Sequence, residues 1–175
     1  MKAILISIKP EWVAKILNGE KTIEIRKTMP KCDLPIDVYI YCTKCMYIET
    51  HPRARGKTCL YKGMGKVLAK FTLNKVDRYV NGCNVAKKYL TFNDFEKILT
   101  PACIYTDELE NYCEDLSFYA WHIDNLKIFN EPKELSEFYH YVKYNKKQAE
   151  ENKQDWDFCK LTKAPQSWCY VEDLL

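Results

Sequence analysis

Apolar positions along the chain fall into short runs, most of them alternating with polar residues and a few recurring at helical spacing. Residues 3–8, Ala-Ile-Leu-Ile-Ser-Ile, form an apolar run short enough to be a buried strand. Pro10 suits the first turn of a helix, where its missing N–H costs nothing. Trp12, Val13, Ile16 and Leu17 recur at helical spacing, and Gly19 stands where a left-handed C-terminal cap belongs. Alternation follows at once in Lys21-Thr-Ile-Glu-Ile-Arg26. Successive side chains of an extended chain point to opposite faces, so Thr22, Glu24 and Arg26 share one face and Ile23 and Ile25 the other. Second neighbours sit roughly 7 Å apart, close enough for Glu24 and Arg26 to touch one small ligand, with Lys21 bending in from the strand's entrance.

Pro30 and Pro35 mark a turn before a strand over 37–43. Residues 44–64 lack periodicity and read as a loop insertion. Val67, Ala69, Phe71 and Leu73 line one face of a strong strand, which continues towards Val80 through a bulge. Thr91 caps a helix that ends at Pro101, and a second helix starts at Thr106 with acids in its first turn, where the helix dipole favours them. Ser117–Ile123 is a strand, and 126–129 is another. Pro132 opens the longest helix, striped by Leu135, Phe138, Tyr139 and Val142, so 131–160 reads as a helical elaboration. Trp168–Val171 closes the chain as a strand. Short strands mixed with helices, and no glycine-rich turn after a strand, predict an α+β fold: a small, mostly antiparallel barrel with peripheral helices. At 175 residues, one domain over 1–175 is expected.

The hydrophobic share of 47 % fits a globular chain, and the net charge of +3 is too small to announce a nucleic-acid binder by itself. The distribution says more. From His51 to Lys70 there are Arg53, Arg55, Lys57, Lys62, Lys66 and Lys70 without one acid, a loop able to meet phosphates. Nine cysteines, with no secretory leader and no run of membrane length, predict reduced thiols and a cytoplasmic protein with no membrane partner. Cys42-Thr-Lys-Cys45, with His51 and Cys59 beyond, forms one half of a zinc-site spacing; the alternative is a core-facing Cys42 with the others incidental. No other metal and no cofactor is indicated. His122 in an apolar strand reads as a satisfied core histidine.

Strand, then Ile8-x-Pro10, a helix, and Gly19-x-Lys21-x-x-Glu24-x-Arg26 together resemble the signature of the ASCH domain, a family of the PUA-like β-barrel group. Tyr39-Ile-Tyr-Cys-Thr43, Gly65-Lys-Val67, Ala120-Trp-His-Ile123 and Pro165-Gln-Ser-Trp168 resemble small phage and bacterial members in the same order. The resemblance implies a PUA-like barrel and a cleft lined by the Lys21–Arg26 motif that takes RNA or a nucleotide-like small molecule. One branch hydrolyses the acetyl amide of N4-acetylcytidine with the motif's lysine and a threonine; this chain has Glu24 at the threonine's place, and Thr22 supplies a hydroxyl two positions away.

Two functions follow. In a binding module, Lys21, Thr22, Glu24 and Arg26 contact a base or phosphate, Gln166 and Ser167 lie at the rim, and Trp121 and Trp168 are stacking candidates, as are Trp12, Tyr39 and Tyr41. Aromatic stripes usually pack inward, which is the competing role for each of these rings. In a hydrolase acting on an acylated pyrimidine nucleoside or on RNA, Glu24 is the general base and Lys21 stabilises the developing oxyanion, or itself serves as base once burial lowers its pKa.

Overall fold

The computed structural model describes residues 1–44, 65–79, 92–113, 117–143, 150–151 and 156–174. They fall into two compact units. Met1–Ala14, Ile36–Phe71 and Lys127–Leu175 form the first, and Lys15–Pro35 with Thr72–Leu126 the second. In chain order the elements are β1 (Lys2–Ile8), α1 (Pro10–Leu17), β2 (Ile23–Arg26), β3 (Ile36–Cys42), β4 (Val67–Leu73), β5 (Val76–Tyr79), α2 (Phe92–Ala102), α3 (Thr106–Tyr112), β6 (Phe118–His122), β7 (Asp124–Lys133), a 3-10 turn at Leu135–Glu137, β8 (Tyr139–Lys143), β9 (Trp156–Lys160) and β10 (Trp168–Glu172). The fold is sheet-rich α+β. Among the described residues the strands lie in two sheets, ordered β7-β4-β3-β1-β10-β8-β9 and β2-β6-β5.

In the first unit β1 runs between β3, to which it is parallel, and β10, to which it is antiparallel. Ala3, Leu5, Tyr39, Tyr41, Val67 and Val171 share a core with Phe138 and Leu161. Ile4, Ile6, Ile8, Val38 and Ile40 on the alternate positions are buried as well. A strand covered on both faces has no polar side to show, which is why β1 is apolar from Ala3 to Ile8 apart from Ser7.

The second unit holds the three-stranded sheet. Ile23, Ile25, Ala120 and Phe118 pack against Ile98 and Ala102 of α2, and Leu109 and Cys113 at α3. β4 and β5 belong to different sheets, with Asn74 and Lys75 between them, so the break in alternation after Leu73 marks a change of sheet rather than the expected bulge.

Over residues 132–143 the helix expected from Pro132 onward is not formed. Pro132 lies near the end of β7, the terminal strand of its sheet, where a residue without an N–H is tolerated. Tyr139–Lys143 is β8, paired to β9 from Tyr139↔Lys160 to Lys143↔Trp156. Phe138 is fully buried, and its carbonyl accepts from Leu161 N–H at 2.8 Å. The residues spaced like a helical stripe therefore serve a 3-10 turn and a strand, and the described part of 131–160 is mainly strand rather than helix.

Candidate functional site

Gly19 ends α1 with φ +80, and its N–H returns to Ile16 C=O at 3.0 Å. The chain then doubles back: Lys21 N–H reaches Lys15 C=O at 2.9 Å, and Thr22 N–H reaches Pro101 C=O at 2.8 Å. That anchoring fixes where β2 begins. Antiparallel pairing sets Glu24 opposite Trp121 and Arg26 opposite Tyr119, so these four share one face of the sheet while Ile23 and Ile25 serve the core on the other.

The three ionisable groups of the motif converge. Glu24 Oε2 lies 3.3 Å from Lys21 Nζ, and Glu24 Oε1 lies 2.9 Å from Arg26 Nη2. Each carboxylate oxygen thus faces its own cation. All three residues are buried, Lys21 being 4 % exposed, Glu24 6 % and Arg26 7 %. Lys21 Nζ also donates to Ala102 C=O at 2.6 Å, a bond that ties the motif to the end of α2. Burial pulls the Lys21 ammonium below the ordinary lysine value; Glu24 opposes that shift, and Arg26 adds to it. With Lys21 protonated, two cations surround one anion and the cluster carries net positive charge. Such a trio can hold an anion or a polar base edge, and its lysine gives up a proton more readily than a free one.

Two further groups border the trio. Tyr112, at the end of α3, is 38 % exposed, and burial pushes its phenol up, with Arg26 and Glu24 close enough to act on it. Cys103 has φ 54 and its Sγ lies 3.3 Å from Glu20 C=O. The sequence carries no signal for either, or for the Ala102 carbonyl, because they arrive from α2 and α3 by tertiary packing.

Of the other expected contacts in this unit, Thr22 is exposed, whereas Trp121 is fully buried and donates its indole N–H to Thr28 C=O at 3.3 Å. Trp121 thus has the core role weighed against stacking. His122 Nε2 lies 2.8 Å from Asp77 Oδ2, a carboxylate shared with Lys75 at 2.7 Å.

Gln166, Ser167 and Trp168 belong to the first unit. Gln166 is exposed, Ser167 C=O accepts from Ser7 N–H at 2.9 Å, and Trp168 packs edge-on against Tyr170 at 5.4 Å. Trp12 is half-buried, and Tyr39 and Tyr41 are buried; the Tyr39 hydroxyl donates to Asp173 Oδ1 at 2.6 Å. Cys42 is fully buried in β3, and Cys45, His51 and Cys59 lie outside the described residues. Among the described residues no group of three or more His, Cys, Asp or Glu is placed to hold a metal ion. No helix among them is long and apolar enough to cross a membrane.

The family model of the ASCH domain matches residues 6–133. Comparison with curated proteins gives no match. Among solved structures, the chain is similar to the crystal structure of ASCH from Zymomonas mobilis, with a TM-score of 0.58 and 16 % identity over 97 % of this chain and 87 % of that one. A serine-to-alanine mutant of the Zymomonas mobilis protein aligns with a TM-score of 0.59 and 15 % identity over 97 % and 88 % of the two chains. A tyrosine-to-phenylalanine mutant aligns at 0.53 and 16 % over 98 % and 91 %. At this identity the likeness is one of fold.

Proposed function

The chain belongs to the ASCH domain family, and on that premise we propose that it is a cytoplasmic RNA- or nucleotide-binding protein whose ligand is held by Lys21, Glu24 and Arg26. The observation that carries this reading is the buried carboxylate of Glu24 with a cation on each oxygen. Desolvated charges attract a polar ligand more strongly than exposed ones, because water screens them less. Lys21 and Arg26 offer donors to a phosphate or a base carbonyl. Glu24 accepts from a base edge such as an exocyclic amine. Thr22 is kept as a further contact of this reading, and the PUA-like barrel implied for the family is its architectural part. The test is affinity for nucleotides and short RNAs in the Lys21→Ala/Arg26→Ala double variant. The reading expects a loss of at least tenfold, on the order of one charge-assisted hydrogen bond; unchanged affinity sinks it.

One observation favours a second reading, a hydrolase. The Lys21 ammonium is held below its usual pKa by burial, and it lies against Glu24. A neutral lysine can accept the proton of a water that attacks the acetyl carbon of an N4-acylated cytidine, the C–N bond breaking as the amine takes up a proton. Turnover of N4-acetylcytidine or of a short RNA by purified protein, abolished in Lys21→Ala, is the expected result. No turnover of either substrate leaves the binder alone.

A further inference from the structure

The face of the second unit's sheet that carries Glu24 and Arg26 does not stop at β2. Pairing continues across it in register: Arg26 is opposite Tyr119 on β6, and Tyr119 is opposite Arg78 on β5. Directly paired residues point the same way, so Arg26, Tyr119 and Arg78 form one row across three strands. Exposure rises along that row: Arg26 is buried, Tyr119 half-buried and Arg78 exposed. The Arg78 guanidinium carbon lies 5.9 Å from the centre of the Tyr119 ring, at the outer limit of a cation–π contact, roughly 6 Å. Among the described residues no carboxylate pairs with Arg78. Asp77, its chain neighbour, points to the opposite face and is engaged by Lys75 and His122.

A guanidinium beside an aromatic ring keeps its N–H edges available to donate in a fork, the geometry that matches a phosphate. Two strand spacings, about 10 Å, separate the Arg26 and Arg78 positions, a span that one nucleotide bridges. We infer that Tyr119 and Arg78 form a phosphate subsite continuous with the Lys21–Glu24–Arg26 cluster, so that the ligand is a phosphate-bearing nucleotide or RNA segment rather than a free nucleoside. This inference rests on the nucleotide-binding reading and adds the class of ligand to it. Arg78 binds the phosphate. Tyr119 positions Arg78 and offers its remaining ring surface to the adjoining base or sugar.

The experiment compares Kd for the four common nucleosides, their 5′-monophosphates and a short random-sequence single-stranded RNA, in wild type and in Arg78→Gln, Arg78→Lys, Tyr119→Leu and Lys21→Ala. The wild type is expected to prefer a monophosphate or the RNA over the matching nucleoside by roughly tenfold or more, the gain from one charge-assisted contact. Arg78→Gln removes that preference and leaves nucleoside affinity within twofold. Arg78→Lys retains part of the preference as a point charge without the fork, and Tyr119→Leu retains less than wild type. Thermal melts check that each variant is folded. A phosphate preference unchanged in folded Arg78→Gln overturns the subsite while leaving the nucleotide-binding reading intact. Binding unchanged in Lys21→Ala, but with the phosphate preference lost in Arg78→Gln, overturns Lys21 as a ligand contact and keeps the subsite. No binding of any probe by wild type overturns both.

Discussion

Glu24 shows how much one side chain depends on its neighbours at this site. Its carboxylate lies between Lys21 and Arg26, and the attraction to Glu24 raises the Lys21 pKa against the desolvation that lowers it. Replacing Glu24 with Gln removes the raising influence, so Lys21 is expected to titrate lower in Glu24→Gln than in wild type, and both below an unfolded lysine. Direct NMR titration of the Lys21 side-chain amine measures it; an upward shift on substitution contradicts the arrangement. The linkage has a definite sign. Between the depressed folded value and the ordinary lysine value, the unfolded chain holds a proton that the folded chain has released, so Lys21's contribution makes stability rise with pH across that window. At this scale the sequence was partly legible. Period-two alternation places Glu24 and Arg26 together because it follows from strand geometry alone. Alternation also groups Thr22 with them, but Thr22 lies before β2 begins and is exposed. The partner that anchors Lys21, the Ala102 carbonyl, comes from 81 residues further along and leaves no local trace.

Elements were legible where local chemistry and tertiary demand agree. α1 has both its proline start and its glycine stop, and β2 follows from that stop. Gly19 sits at φ +80 with open space where a Cβ would go, so substitution there meets backbone strain and no clash. Gly19→Ala is expected to destabilise the protein by about 1–2 kcal/mol, and Gly19→Asn by less, since asparagine adopts the left-handed region more readily. Urea unfolding of the pair measures the difference; equal midpoints for Ala and wild type contradict it. Residues 135–142 show the opposite case. Leu135, Phe138, Tyr139 and Val142 satisfy a helical stripe, yet Tyr139-His-Tyr-Val is also an alternating run of residues that favour strands. Pairing with β9 and β10 decides between the two. Neither partner is visible from the segment itself, so periodicity alone could not arbitrate.

At the scale of the whole molecule, charge distribution bears on function more than total charge does. A net charge of +3 gives little long-range pull on a polyanion. The acid-free run holding Arg53, Arg55, Lys57 and Lys62 nevertheless concentrates positive charge in one part of the chain. These four residues lie outside the described residues, and their charge alone bears on binding. If the run meets RNA phosphates, binding releases counterions, and the slope of log K against log salt reports how many contacts are made, roughly 0.7 per phosphate on a single strand. Changing all four to Gln removes four positive charges from a total of +3 and leaves the chain net negative. Titrations of a short single-stranded RNA at several salt concentrations should then show a slope flattened by up to about 3. Affinity for a free nucleoside, which carries no phosphate, should stay within twofold. Arg78→Gln, which removes one proposed phosphate contact, should flatten the same slope by only about 0.7. Parallel salt slopes in the quadruple variant and wild type would identify the basic run as a solvated loop and leave recognition to the face that carries Glu24, Arg26, Tyr119 and Arg78.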